Sequence, residues 1–273
     1  MDCLRTTAQT LFLLEDPAVK AAAVQAVDFA HAPVVPQRAL ASIEGPPGRP
    51  LRPQLVAPRN LPRRALSTPA GRAALVHALA HIEFNAINLA LDAVWRFAGM
   101  PEHYYREWFK VACDEARHFT LLAAHLARLG FAYGDFDAHD GLWEIAHKTR
   151  NNVLARMALV PRLLEARGLD ASPLIRDKLQ QAGDAVAAQI VQVILQDEVS
   201  HVATGNHWFR WLCDAYAVQA DEIFDQLAKA HRAPRLRGPF NLPARRAAGF
   251  TEAEIERLVR AASIASAASS AGT

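Results

Sequence analysis

The chain has 273 residues, of which 51% are apolar and 21% charged, and a formal net charge of +2. That length is enough to bury a substantial core. A composition dominated by Ala and Leu, with only 13 Gly, favours an all-helical protein. Three cysteines, Cys3, Cys113 and Cys213, stand in no paired spacing, which argues against a disulfide framework or a sulfur-rich structural zinc site and fits a reducing cytoplasm. Asp2, Glu15 and Asp16 surround the first apolar run, the wrong flanks for a cleaved signal peptide. No uninterrupted apolar run reaches the ~18 residues of a membrane span.

Residues 4–30 alternate apolar and polar at helical spacing around Pro17, predicting two short helices or one kinked one. Nine prolines then fall between Ala32 and Pro69, together with Arg38, Arg49, Arg52, Arg59, Arg63 and Arg64 against a single Glu44. No helix persists through such a stretch, so it reads as an extended arm. With almost no aromatics to stack on bases, it suits a strap along the protein or across a subunit better than a nucleic-acid arm.

Ser67-Thr68-Pro69 opens a helix that runs to about Phe97 and stops at Gly99-Met100-Pro101. A second helix follows from Pro101 to Leu129-Gly130. Phe131 to about Thr149 is expected to be a long crossover, and a third helix starts near Arg150. Pro161 interrupts its hydrogen bonding and predicts a kink. At Gly168-Leu169-Asp170-Ala171-Ser172-Pro173 the helix is expected to break, with Ser172 capping a fresh start. Gly183-Asp184 reads as the next turn, followed by a fourth helix that extends past Cys213. From Pro234 to Pro243 comes a second proline-interrupted strap. Thr251-Glu252-Ala253-Glu254 starts a short capped helix, and the small residues from Ala261 onward are expected to fray. The resulting domain plan is 1–66 for the N-terminal helices and arm, 67–230 for a four-helix bundle, and 231–273 for the C-terminal strap.

Asp114-Glu115-Ala116-Arg117-His118 answers Asp197-Glu198-Val199-Ser200-His201. Residues three apart on a helix lie one above the other, so Glu115 with His118, and Glu198 with His201, each present an oxygen and an imidazole nitrogen from one face. One Glu-x-x-His is weak evidence, since a chain with this many Glu and His should contain one by chance about half the time. Glu144-Ile145-Ala146-His147, in the crossover, reads as such an accident. What distinguishes the other two is what precedes them: Glu83 stands 32 residues before Glu115, and Glu165 stands 33 before Glu198. Gly99 lies 16 residues from both Glu83 and Glu115, so an antiparallel pair places them at one height.

Four buried glutamates would repel one another unless protonated or matched by cations, and two divalent ions bring the sum to zero. Oxygen and imidazole donors without thiolate favour iron or manganese. A metal-bound imidazole usually has its other N–H held by a carboxylate, a role for which Asp114 and Asp197 are placed. Among the remaining candidates, His77 and His81 fall on other faces from Glu83 and read as surface or packing residues. Arg117 reads as an ion-pair partner. Trp95, Trp108, Trp208 and Trp211 read as core.

The pattern of Glu83, Asp114-Glu115-Ala116-Arg117-His118, Glu165 and Asp197-Glu198-Val199-Ser200-His201 resembles the ferritin-like superfamily of di-iron carboxylate proteins, in its Asp-Glu-x-Arg-His branch. Gly141-Leu142-Trp143-Glu144, Leu159-Val160-Pro161-Arg162, Leu164-Glu165-Ala166-Arg167-Gly168-Leu169-Asp170 and Pro239-Phe240-Asn241 are similar to a bacterial ferritin-like family of unknown function. The resemblance implies a ferritin-like four-helix bundle with two iron ions, manganese or a mixed pair being alternatives. Glu115 and Glu198 would bridge the metals, Glu83 and Glu165 would be terminal ligands, and His118 and His201 would give one nitrogen to each. Ser200 stands where the first motif has Arg117, so no role carries to that position.

The ligand motif does not choose a reaction. An O₂-activating oxidase or hydroxylase with a small organic substrate is the leading expectation, because arms and a kinked helix exceed what a storage cage needs. Its partners would be O₂, the substrate and an electron-donor protein, with a homodimer conceivable and neither nucleic acid nor membrane expected. Iron handling is the alternative, and a metal-stabilised scaffold without activity the second alternative.

Overall fold

The computed structural model describes residues 3–62, 64–234 and 236–270, with side chains described as far as Ser263 in the last helix. Asp2, Arg63 of the basic arm and the final three residues of the tail lie outside the described residues. Regular structure among the described residues is helical, with one isolated parallel bridge between Leu55 and Ala138. The chain divides into two compact units, Met1–His147 with Arg176–Ile190, and Lys148–Ile175 with Val191–Thr273.

In the first unit, α1 (Leu4–Phe12) and α2 (Pro17–Gln25) are two separate helices, the second started by Asp16, whose side chain accepts from Val19 N at 2.8 Å. The long hairpin of α3 (Pro69–Arg96) and α4 (Glu102–Arg128) forms as the punctuation predicts. Thr68 Oγ1 accepts from Gly71 N at 3.0 Å to cap α3, and Gly99 makes the turn at φ +79°, a conformation that side chains with a Cβ disfavour. Both helices bury residues at alternating steps of four and three. In α3 these are Val76, Ala80, Glu83, Ile87, Ala90 and Val94; in α4, Trp108, Val111, Glu115, His118 and Leu122. Such a repeat keeps one seam facing a partner helix along its whole length. Glu83, Glu115 and His118 occupy positions in that seam that packing alone would give to Leu or Ala.

By length and composition α3 could cross a membrane, but 67% of its most apolar window is buried inside the protein. Its C-terminal carbonyls, which no helix can satisfy internally, are met by the buried Arg5: Nη2 donates to Trp95 O at 2.8 Å and Nη1 to Arg38 O at 2.6 Å in the arm. Lys20 Nζ donates to Phe12 O, Gly48 O and Asn88 Oδ1 at 3.0, 2.7 and 2.6 Å. The arm is a strap along this unit. Arg49 pairs with Asp140 at 2.8 Å, and Val56 N donates to Ala138 O at 2.8 Å. The connection that follows α4 carries α5 (Gly141–Lys148), where the sequence suggests only a crossover.

The second unit begins at α6 (Val153–Leu159), capped by Asn152, whose Oδ1 accepts from Ala155 N at 2.9 Å. Val160–Glu165 then opens into a single stretch of π-helix around Pro161. Proline has no N–H to give the preceding turn, and a π-turn is one way for a helix to absorb that loss together with an extra residue. The expected break at 168–173 is absent. Here α7 (Ala166–Gln181) runs unbroken through Pro173, so Ser172 does not cap a new start, and the irregularity lies at 160–165 instead.

Two features make the unbroken helix tolerable. Pro173 leaves the carbonyl of Leu169 without its helical donor, and Asn241 Nδ2 from the C-terminal strap donates to that oxygen at 3.1 Å. Asp170 in turn accepts from Asn241 N at 2.9 Å and forms an ion pair with Arg245 Nη2 at 2.6 Å. Asn241 also starts α10 (Leu242–Ala247). The turn expected at Gly183-Asp184 is present, with Gly183 at φ +81°, and Asp184 Oδ1 accepts from Ala187 N at 3.0 Å.

From there α8 (Ala185–Ala215) repeats the four-three spacing with Ile194, Glu198, His201, Gly205, Trp208 and Leu212, all buried. It ends at Ala215, and a separate helix, α9 (Ala220–Ala230), follows in place of one long continuous helix. The last helix is longer than predicted: α11 (Glu252–Ser270) carries helical backbone through residues expected to fray. Ala166, Leu169, Val202 and Ala248 form a buried cluster that ties α7, α8 and the strap together.

Candidate metal centre

The hairpin of α3 and α4 brings Glu83, Glu115 and His118 together, as the equal spacing from Gly99 predicts. One ligand atom from each lies within 4.8 Å of the other two, and the three side chains are buried. His118 Nδ1 is 3.1 Å from Glu83 Oε2 and 3.3 Å from Glu115 Oε2. Burial, reinforced by the neighbouring charge of Glu115, pushes the Glu83 carboxyl well above the usual carboxylate range. Burial pulls the His118 imidazole down, but hydrogen bonds to Glu115 and Glu83 and the charge of both outweigh it and hold it up at about 11. The three groups therefore share protons that a cation would displace.

In the second unit Glu198 and His201 stand one turn apart on the buried face of α8, 8% and 1% exposed, with His201 Nδ1 3.8 Å from Glu198 Oε1. Glu165 closes the π-helical turn and is half-buried. It is not among the buried ligand atoms grouped within 4.8 Å. Asp197 is half-buried, and Asp114, 19% exposed at its side chain, accepts from Lys110 Nζ at 2.7 Å. Arg117 is an ion-pair partner, 3.8 Å from Asp114 Oδ1. Glu144 is exposed on α5, as befits a chance match.

His77 and His81 prove to be packing residues. His77 Nε2 accepts from Gly134 N at 2.9 Å, and His81 Nδ1 lies 2.8 Å from Tyr133 Oη. Burial holds both imidazoles down at about 4, so they are neutral near pH 7. Trp95, Trp108 and Trp208 are core residues, and Trp211 is half-buried.

The donor chemistry fits a first-row metal. Both carboxylate oxygen and imidazole nitrogen are present, and no sulfur joins the clusters among the described residues. All three cysteines are free, and burial pushes the Cys113 thiol up to about 12, far from a metal-binding thiolate. The motif reading missed the contact that shapes the second unit: a Cβ on Gly205 would fall 2.4 Å from Pro161 Cβ. The four-three repeat in α8, which puts Gly205 in the same seam as Glu198 and His201, marks Gly205 as a seam position but does not show which segment packs on it.

Fold and site define an all-helical protein with buried carboxylate and imidazole groups able to hold metal. The chain belongs to the family described as protein of unknown function (DUF455), whose model matches residues 13–256. It is also 44% identical over 230 residues to an uncharacterized protein of Haemophilus influenzae, an alignment covering 82% of this chain and 78% of that one. No solved structure matches the chain.

Proposed function

We propose that the protein is a ferritin-like di-metal carboxylate enzyme that uses O₂ to oxidise or hydroxylate a small organic substrate. Glu83, Glu115 and His118 would supply one half of the ligand set, and Glu165, Glu198 and His201 the other, with Asp114 and Asp197 orienting the imidazoles. The observation that carries this reading is the first half: two carboxylates and an imidazole, 3% exposed or less, within 4.8 Å in an otherwise apolar seam. Burying such a group without a cation costs several kcal/mol that Leu or Ala would not. Function, rather than packing, accounts for it.

Two ferrous ions, if held by this set, would each supply one of the two electrons that reduce O₂, and an electron donor would have to restore them. The chain's own part is to fix the donors and keep water out. Glu83, Glu115 and His118 would hold the ion, which would displace the protons that the three groups carry without it. Ile87, Trp108 and Leu122 fill the seam around them. The strap on the first unit and the π-helical turn ending in Glu165 exceed what iron storage requires, which supports oxygen activation over a storage role. Three free cysteines suit a reducing cytoplasm.

Anaerobic loading with Fe(II) followed by O₂ tests the reading. Stoichiometric O₂ consumption without a mineral core supports it, whereas a large core means storage and no uptake means a scaffold.

A further inference from the structure

A cavity of about 650 Å³ lies within the second unit, among α9, α11, the C-terminal strap and the π-helical turn. Its volume falls in the range of small-molecule sites, ~300–1,000 Å³. Leu163, Phe224, Leu236, Phe250 and Leu258 give it a wall of aliphatic and aromatic surface. All but Leu163 are only half-buried, so the wall keeps apolar area that an occupant would remove from water.

The charged groups around this wall are matched to one another. Arg162, 5% exposed, donates from Nη1 to Asn206 Oδ1 at 2.6 Å and bonds Glu254 through Nη2. Its guanidinium lies 4.9 Å from the ring centres of Phe209 and Phe250 and 5.5 Å from that of Phe224. Arg162 Nε has no partner, but it is enclosed by protein and offers nothing to the cavity. Arg245, 1% exposed, pairs with Asp170 at 2.6 Å, and Arg257 pairs with Asp221. Asp225 and Lys229 are exposed and four residues apart on α9, where opposite charges are neighbours. With Asp170 included, the four basic side chains of the lining stand against four acidic ones. A charged occupant would leave water without gaining a counter-ion, a cost that an uncharged one does not meet.

We propose that this cavity binds an uncharged, largely apolar small molecule, held by contact with the Phe and Leu wall. Charge neutrality of the lining, together with the apolar area left half-covered, is what selects that class. Leu163 comes from the π-helical turn that ends in Glu165, but the binding itself does not rest on the metal reading.

Fluorescence titration of the full chain, in EDTA, with phenylnaphthylamine and separately with anilinonaphthalenesulfonate tests the proposal, because the second probe is the first with a sulfonate added. The neutral probe is expected to saturate one site, and the sulfonated one to bind at least tenfold more weakly. Ala228→Trp from α9 combined with Leu258→Trp from α11 fills the cavity from two sides and should weaken the neutral probe at least tenfold while leaving the far-UV spectrum unchanged. Ala228→Trp alone, the milder plug, should weaken it at least threefold. No saturable binding of the neutral probe, a sulfonated probe that binds as tightly, or wild-type affinity in a folded plug variant would overturn it. Because no metal is present, failure here leaves the metal reading standing, and failure of the Fe(II) test leaves this one.

Discussion

Replacing Gly205 by alanine tests the packing that holds the π-helical turn against α8. The new Cβ would meet Pro161 Cβ at 2.4 Å and Cγ at 2.6 Å, where carbon atoms ordinarily approach to ~3.5–4.0 Å. A proline ring is fixed to its backbone and cannot swing aside, so the two segments must part by roughly 1 Å. Overpacking of that kind costs ~1–3 kcal/mol, and alanine's better helix propensity returns up to ~1 kcal/mol. The net expectation is a loss of ~1–2 kcal/mol. Gly168 is the control, since a Cβ there meets nothing within 4 Å. In α7 the same substitution should stabilise by ~0.4–1 kcal/mol. Urea unfolding followed by far-UV circular dichroism gives both midpoints. A Gly205→Ala midpoint equal to or above that of Gly168→Ala would refute the reasoning.

Three further outcomes follow from the same physics. Asp170→Ala strips the carboxylate from Arg245, which is 1% exposed, and should cost ~3–5 kcal/mol by leaving a buried charge alone; a loss under 1 kcal/mol in the urea midpoint would contradict it. Asn241→Ala should cost less in a Pro173→Ala background, where residue 173 regains an N–H for Leu169 O, and a double-mutant cycle showing no coupling would reject the compensation. His77 titrates at about 4 when folded, against an ordinary 6.5, because burial disfavours its charged form. The unfolded chain therefore takes up the proton first: stability is full above pH 6.5 and falls as pH drops toward 4, by on the order of 2 kcal/mol for this residue. His77→Gln keeps an acceptor for Gly134 N, so its unfolding midpoint should depend less on pH across that window, and an unchanged pH profile would refute the assignment.

Much of the first unit was legible because its signals are local. Thr68-Pro69, Gly99 and Gly130 bound two helices of matched length, and equal spacing from the turn places Glu83 beside Glu115. The second unit was harder, since its decisive contacts join distant residues. Gly168 through Pro173 looks like a helix break, but Asn241 and Arg245, more than seventy residues later, supply the hydrogen bonds and charge that keep α7 continuous. Pro161, by contrast, announced a distortion at the right place, and only its form as a π-turn packed on Gly205 needed coordinates. The buried Arg5, Lys20 and Arg162 were unreadable for a related reason. A charge is expected outside, and nothing local shows that carbonyls from other segments will surround it.

Metal content measured by plasma mass spectrometry on the wild type, Glu115→Ala and Glu144→Ala bears most directly on the central claim. About two iron or manganese ions per chain are predicted in the wild type and in Glu144→Ala, with stoichiometric metal lost in Glu115→Ala. Equal loss in both variants, or no stoichiometric metal in the wild type after Fe(II) or Mn(II) is supplied, would contradict it.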